Sequence, residues 1–199
     1  DNVDIATIQV DLRDSKGNPL PNLQSQITTS PQDGEHGLTI TVQAHPSGGY
    51  LVNVKGTQSG HHAMIVSVAG TPFPNAVDLK LIGDATTARF DTVSVDRPSF
   101  KADDAEQVTY TATVVDGNNN VLENHPVSWR LAQGEGRYQS LSYTDQTGKA
   151  ETKLRASRLG QYRMEARIRT QVMAANDVYT TANDVEPDQS NFVVDVNRI

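Results

Sequence analysis

Cysteine is absent from the 199-residue sequence, which excludes a disulfide framework and any thiolate metal site. That absence suits passage through an oxidising compartment without assigning the chain to one. Basic residues are also few: 17 Lys and Arg stand against 24 Asp and Glu, for a net charge of -7 and an isoelectric point near 5.1. No Lys/Arg cluster offsets that balance, so neither nucleic acid nor an anionic membrane surface is an expected partner. Long apolar runs are missing as well. None is longer than Ala63 to Val66, which is far too short to span a bilayer, and no charged-then-apolar leader opens the sequence. If the protein is exported, its signal is expected outside these residues. No Asn-x-Ser/Thr acceptor occurs.

Signatures of catalysis are missing too. There is no Gly-x-Ser-x-Gly elbow, and Gly134-Glu-Gly136 lacks the third glycine of a phosphate cradle, so it reads as a turn. Asp103-Asp104 has no apolar setting to shift a pKa and reads as solvated surface. Asp116, Asn118 and Asn120 imitate the first ligands of a calcium loop, but Val121 stands where that loop needs Gly and Val127 where it needs Glu. A hairpin turn is the expected reading. His61 and His62 are neighbours on a strand and point to opposite faces, one in and one out, which is unsuited to a shared ion. His36, His45 and His125 are isolated beside turn residues. No catalytic residue, cofactor or metal site is expected.

What is present is alternation. Val108, Tyr110, Ala112 and Val114 alternate with polar residues, as a strand with one dry face requires. Asp116-Gly-Asn-Asn-Asn120 then collects turn formers, and Val127, Trp129 and Leu131 resume the alternation. The same stretch occurs about one hundred residues earlier. Ala6, Ile8, Val10 and Leu12 fall under the first strand, Asp14-Ser-Lys-Gly-Asn18 under the turn, Leu20 and Asn22 under Leu122 and Asn124, and Ile27 under Trp129. After a two-residue slip Gly48, Tyr50, Val52 and Val54 match Gly148, Ala150, Thr152 and Leu154, and Met64, Val66 and Val68 match Met164, Ala166 and Ile168. A repeat of this length means tandem domains.

Two domains are expected, 1–84 and 85–199, with Gly83 to Ala88 as a short linker that sets them end to end as a rod. Each is large enough to bury a core of its own. The short strands and regular turn signals predict an all-β fold of two tandem immunoglobulin-like β-sandwiches. In the second domain the only Trp, Trp129, is expected across the sheets, with Tyr162 closing the corner before the sixth strand and Met164 standing where antibody domains place a cysteine. The first domain has no counterpart of a strand expected at Thr92 to Asp96, so it is read as lacking its leading strand, in a segment cut from a longer array. The last strand of the second domain is expected at Asn191 to Asn197, after a long loop that repeats Ala-Asn-Asp-Val. Asn176, Asp177, Tyr179, Asn183 and Asp184 of that loop are the candidate partner-binding residues. The alternative is a prolonged hairpin that extends one sheet or buttresses a neighbour.

Three groups of residues carry a family resemblance: the run from Val108 to Leu131, Thr144-Asp145 with Gly148 and Ala150, and Ser157 to Ile168 with Gly160, Tyr162 and Ala166. Together they resemble the bacterial Ig-like repeats of the intimin and invasin family of outer-membrane adhesins, the inverse autotransporters. The first copy, with Ala44-His45 in place of Thr144-Asp145, is a divergent member. The resemblance implies a surface-exposed passenger in which such repeats space a terminal binding domain from the cell. A passive stalk is therefore the leading expectation, with neighbouring Ig-like domains of the same chain as its partners, no membrane insertion by this segment and a monomeric state. The alternatives are a module that itself binds a host-cell receptor, antibody or glycan, and an accessory domain of a secreted hydrolase.

Overall fold

Alternating burial organises both halves of the chain. The computed structural model describes residues 4–32, 34 and 37–182, and these divide between two compact units. The first unit comprises Asp1–Asp91, Thr113–His125 and Thr144–Gly148, and the second Thr92–Ala112, Pro126–Tyr143 and Lys149–Ile199.

In the first unit, β1 (Ala6–Val10), β3 (Thr39–Ala44) and β4 (Tyr50–Lys55) form one antiparallel sheet with β4 central. The other sheet is centred on β5 (Gly60–Val68), which pairs with β2 (Ile27–Pro31), β6 (Thr71–Pro72) and β7 (Val77–Leu81). Ile8, Val10, Tyr50, Val52, Val54, Met64 and Val66 meet in one apolar core. Each lies two residues from the next on its strand, so the period of two delivers every one of them to the dry face. Burial of this kind is the main favourable term in folding, at about 25 cal/mol per Å² of apolar surface.

The Asp116 turn belongs to the first unit, and its hydrogen bonds show why. Asn120 donates from Nδ2 to the Thr57 carbonyl at 2.8 Å and accepts the Ser59 N–H on Oδ1 at 2.8 Å, while Asp116 Oδ2 accepts the Asp84 N–H at 3.0 Å. Both side chains are buried.

In the second unit, β11 (Pro126–Gln133) lies between β12 (Leu141–Tyr143) and β14 (Gln161–Ile168). Along the far edge of β14 run β15 (Gln171–Ala174) and then β16 (Val178–Thr181), and β16 pairs in parallel with β9 (Ser99–Lys101). A second sheet has the order β13 (Lys149–Leu154), β10 (Val108–Val115) and β8 (Arg89–Val95). Trp129, Met164, Ala166 and Leu154 are buried, as are their counterparts Ile27, Met64, Val66 and Val54, so the repeat seen in the sequence is a repeat of inward positions. Tyr162 donates its hydroxyl to the Arg158 carbonyl at 2.7 Å, which is the corner expected of it.

One element follows the alternative reading of the sequence, a prolonged hairpin that extends one sheet. The chain from 169 to 182 is not a loop. It turns at Arg169 (φ 48°) and runs back along β14 as β15 and β16, just as Ala69 (φ 48°) sends the chain into β6 and β7. The partner of β7 in the repeat is thus β16. The strand expected at Asn191 to Asn197 lies outside the described residues, as does His36.

Candidate partner-binding surface

β16 is short because only Val178 has a core to enter. It is fully buried, while Tyr179 next to it keeps 54% of its surface exposed. The strand is held on both sides. Tyr179 lies opposite Gln161 of β14 and beside Ser99 of β9, and its N–H donates to the Pro98 carbonyl at 2.9 Å. Thr180 Oγ1 accepts the Gly160 N–H at 2.8 Å and donates to the Arg158 carbonyl at 2.9 Å. The exposed ring is therefore presented from a backbone that is already ordered, which lowers the entropy lost on contact with a partner.

Asn176 and Asp177 occupy the break between β15 and β16. Asn176 is exposed. Asp177 receives Arg163 as a fork, Nε to Oδ1 at 2.7 Å and Nη2 to Oδ2 at 2.8 Å, and Gln161 Nε2 reaches Oδ2 at 2.5 Å. The hydrogen bond from Arg163, with that of Gln161 and the Arg163 charge, holds the Asp177 carboxyl below the usual aspartate range against the opposing effect of desolvation. Asp177 thus fixes the strand break and has little capacity left for a ligand. Asn183 and Asp184 lie outside the described residues.

Sequence reasoning missed Arg163 and Gln161. The signal was present, since both alternate with the buried Tyr162 and Met164 and so must face outward on β14. Arg130 and Glu165 continue that polar face with an ion pair at 2.7 Å.

The remaining candidates resolve as local structure. Asp116 Oδ1 accepts the N–H groups of Asn118 and Asn120, both at 2.8 Å, and its Oδ2 accepts Asn120 Nδ2 at 2.8 Å. Asp14 repeats the arrangement with Lys16 and Asn18 at 2.8–2.9 Å. These carboxylates are turn caps whose oxygens face N–H donors. Asp103 Oδ1 caps the Ala105 and Glu106 N–H groups, and Asp104 pairs with Arg137. His61 faces solvent against Asp78 at 2.8 Å, whereas His62 is buried. Among the described residues no three His, Asp or Glu side chains gather as a metal site would need, and no helix is long and apolar enough to cross a membrane.

Comparison with known proteins follows the same outline. Residues 91–181 match the family described as the bacterial Ig-like domain (group 1), a span that opens within β8 and ends with β16. This stretch is a bacterial Ig-like domain. The chain that contains the Ig-like domain is 30% identical over 171 residues to the inverse autotransporter adhesin YeeJ of Escherichia coli (strain K12), a match covering 81% of this chain and 7% of the adhesin. The chain therefore spans a small part of that relative's length.

Solved structures share the fold. InvD of Yersinia pseudotuberculosis superposes with a TM-score of 0.72 at 21% identity over 97% of this chain and 57% of that one. Invasin, described as a bacterial integrin-binding protein, gives a TM-score of 0.63 at 19% identity over 92% of this chain and 37% of its own. The resemblance carried by the Val108–Leu131 and Ser157–Ile168 segments is thus matched by a family assignment, by homology to an adhesin and by fold. The curated relative is described as an adhesin, and none of these descriptions names an enzyme.

Proposed function

We propose that this chain is a stalk segment in the extracellular passenger of a bacterial surface adhesin, built from two Ig-like repeats, 1–84 and 85–199, and without catalytic activity. Homology to an inverse autotransporter adhesin carries the reading. The paired Asp14 and Asp116 turns support it, because the same capped hairpin recurs at the spacing that the repeat requires. Sealing each sandwich by apolar contact alone, in a chain with no cysteine, also suits a secreted segment.

Two measurements test this. Antibody raised against the chain should label intact bacteria and lose its epitope when live cells are treated with protease; labelling only after lysis would remove the surface assignment. Fluorescent chain added to host cells should bind no better than an unrelated sandwich domain of equal charge. Saturable binding would favour the second reading, a receptor-contacting module, for which exposed Tyr179 on ordered β16 is the supporting observation.

A further inference from the structure

Arginines that are scattered in the sequence meet on the second unit. Arg137 follows β11, and Arg155 and Arg158 follow β13. Arg137 and Arg155 are bridged as an antiparallel pair, each backbone N–H donating to the other's carbonyl, at 2.9 and 3.0 Å. The two backbones come so close that a methyl group at Gly136 would overlap the Arg155 carbonyl oxygen. Residues directly opposite in such a bridge send their side chains to the same face, and like charges so placed repel. With Arg158, Asp104 and Glu135 they border a depression of about 400 Å³. Its carboxylates do not neutralise it. Asp104 takes Arg137, and Glu135 takes Arg158 at 3.0 Å, whereas the Arg155 guanidinium has only the neutral Gln107 Oε1 at 3.3 Å among the described residues. A positive charge is left over there, in a chain whose net charge is -7.

We propose that this depression binds an oxyanion of the sulfate or phosphate type, either free or as an ester on a surface glycan. Arg155 is the anchor, because its fork of N–H donors meets no carboxylate and an anion there also relieves the repulsion from Arg137. Arg158 is the second donor. Its pair with Glu135 leaves both side chains 76% exposed, and an ion pair so open to water is worth little, so the guanidinium can turn from Glu135 to the anion with little loss. Arg137 stays with Asp104, whose N–H donates to the Ala156 carbonyl at 2.9 Å. A tetrahedral oxyanion suits the arrangement because it offers oxygens to two guanidinium groups at once, whereas a single fork uses both oxygens of a carboxylate. The site stands apart from whether the segment spaces or binds a host.

The test is an NMR titration of the whole isotope-labelled chain with sodium sulfate, at an ionic strength held constant with sodium chloride. Shifts at the Gly136 and Arg155 amides and at the Nε–H groups of Arg155 and Arg158 should saturate. Arg155→Gln should weaken sulfate by roughly tenfold or more, the worth of a hydrogen bond to a charged group, and should melt at or above the parental temperature because the opposed charge is gone. Arg158→Gln should also weaken sulfate and replaces the first variant if that one unfolds. A second arm compares a sulfated oligosaccharide with its desulfated counterpart. Tighter binding of the sulfated sugar than of free sulfate identifies an ester on a glycan as the occupant, and no gain identifies the free ion. Shifts that fail to saturate or that chloride alone reproduces overturn the proposal, as does parental affinity in a folded Arg155→Gln variant or a desulfated sugar that binds as tightly as the sulfated one.

Discussion

Tyr50 and Thr144 make the same pair of hydrogen bonds from different positions of the repeat. The Tyr50 hydroxyl donates to the Leu20 carbonyl and accepts the Leu23 N–H at 2.9 Å; Thr144 Oγ1 donates to the Leu122 carbonyl and accepts the His125 N–H at 2.8 Å. Leu20 matches Leu122 and Leu23 matches His125 in the repeat, so the loop after each capped turn is tied down at identical backbone groups. Where the first copy has Ala44 in place of Thr144, a tyrosine six residues later supplies the missing hydroxyl. Both side chains are buried, so deleting either oxygen strands a donor and an acceptor. Tyr50→Phe and Thr144→Val should each cost about 1–3 kcal/mol in urea unfolding. A loss below a few tenths in both would mean that water replaces the hydroxyl freely.

The two aspartate turns share geometry and differ in setting. Asp14 is exposed, whereas Asp116 is fully buried and also accepts the Asp84 N–H at 3.0 Å. Asp116→Ala removes the acceptor for four N–H groups inside the protein and should destabilise by about 1–3 kcal/mol or more. Asp14→Ala exposes its donors to water and should cost clearly less. Denaturant midpoints of the two variants, measured side by side, check the order.

Much of this was legible because a period of two and a turn signature are local properties. The inward sets of β4, β10 and β14, the Asp14 and Asp116 caps and the Tyr162 corner follow from residue type and spacing. The Tyr50 substitution was hidden, since nothing in one sequence says that a hydroxyl on one strand will take over bonds made elsewhere in the other copy. β16 was hidden for another reason. Val178-Tyr-Thr-Thr has a single buried residue and is flanked by Ala-Asn-Asp, which reads as turn chemistry, so its pairing with β9 and β14 decides the strand. Tyr179 is exposed as expected of a contact residue, and it stands on the prolonged hairpin that was the alternative to a loop.

Tyr110 is buried, yet its hydroxyl finds no partner among the described residues. The repeat places Ile8 at this position, so an apolar side chain fits the local design. Tyr110→Phe should leave stability unchanged or raise it by about 1 kcal/mol, because an unsatisfied buried polar group costs about that much. Burial, followed by the Asp177 and Asp96 charges, pushes the hydroxyl well above its ordinary value. The phenol stays neutral in the fold while the unfolded chain ionises from about pH 10. Stability is therefore lost as pH rises past that point, and the Phe variant should lose less of it in melts taken between neutral and strongly alkaline pH.

Gly134 has φ 89°, and a methyl group added there would overlap the Tyr162 ring. Gly134→Ala combines left-handed backbone strain with displacement of a buried side chain whose hydroxyl holds the Arg158 carbonyl. The expected loss is about 2 kcal/mol or more. Trp129→Ala, which empties the centre of the same sandwich and frees Ser142 Oγ from Nε1, should cost about 3–5 kcal/mol. If Gly134→Ala melts with the parent, the ring must have room to move, and the corner matters less than its geometry suggests.

Acid should destabilise the protein in a definable window. Hydrogen bonds from Arg163 and Gln161 hold Asp177 below the usual range, as Asn18 does for Asp14 and Thr86 for Asp84, in each case against desolvation. A carboxyl depressed in the fold contributes stability that is fully present above its unfolded value of about 4 and lost as pH falls through the lower folded value. Melting temperature should thus hold from neutral pH to about 5 and drop below about 4. Asp177→Asn separates the Arg163 pair from the rest. At pH 7 the variant should melt below the parent, because the charged fork to Arg163 is gone. As pH falls the parent's own Asp177 becomes protonated and the two curves should converge. A constant offset down to about pH 2 would assign the effect to lost shape at the β15–β16 break and not to the carboxylate charge.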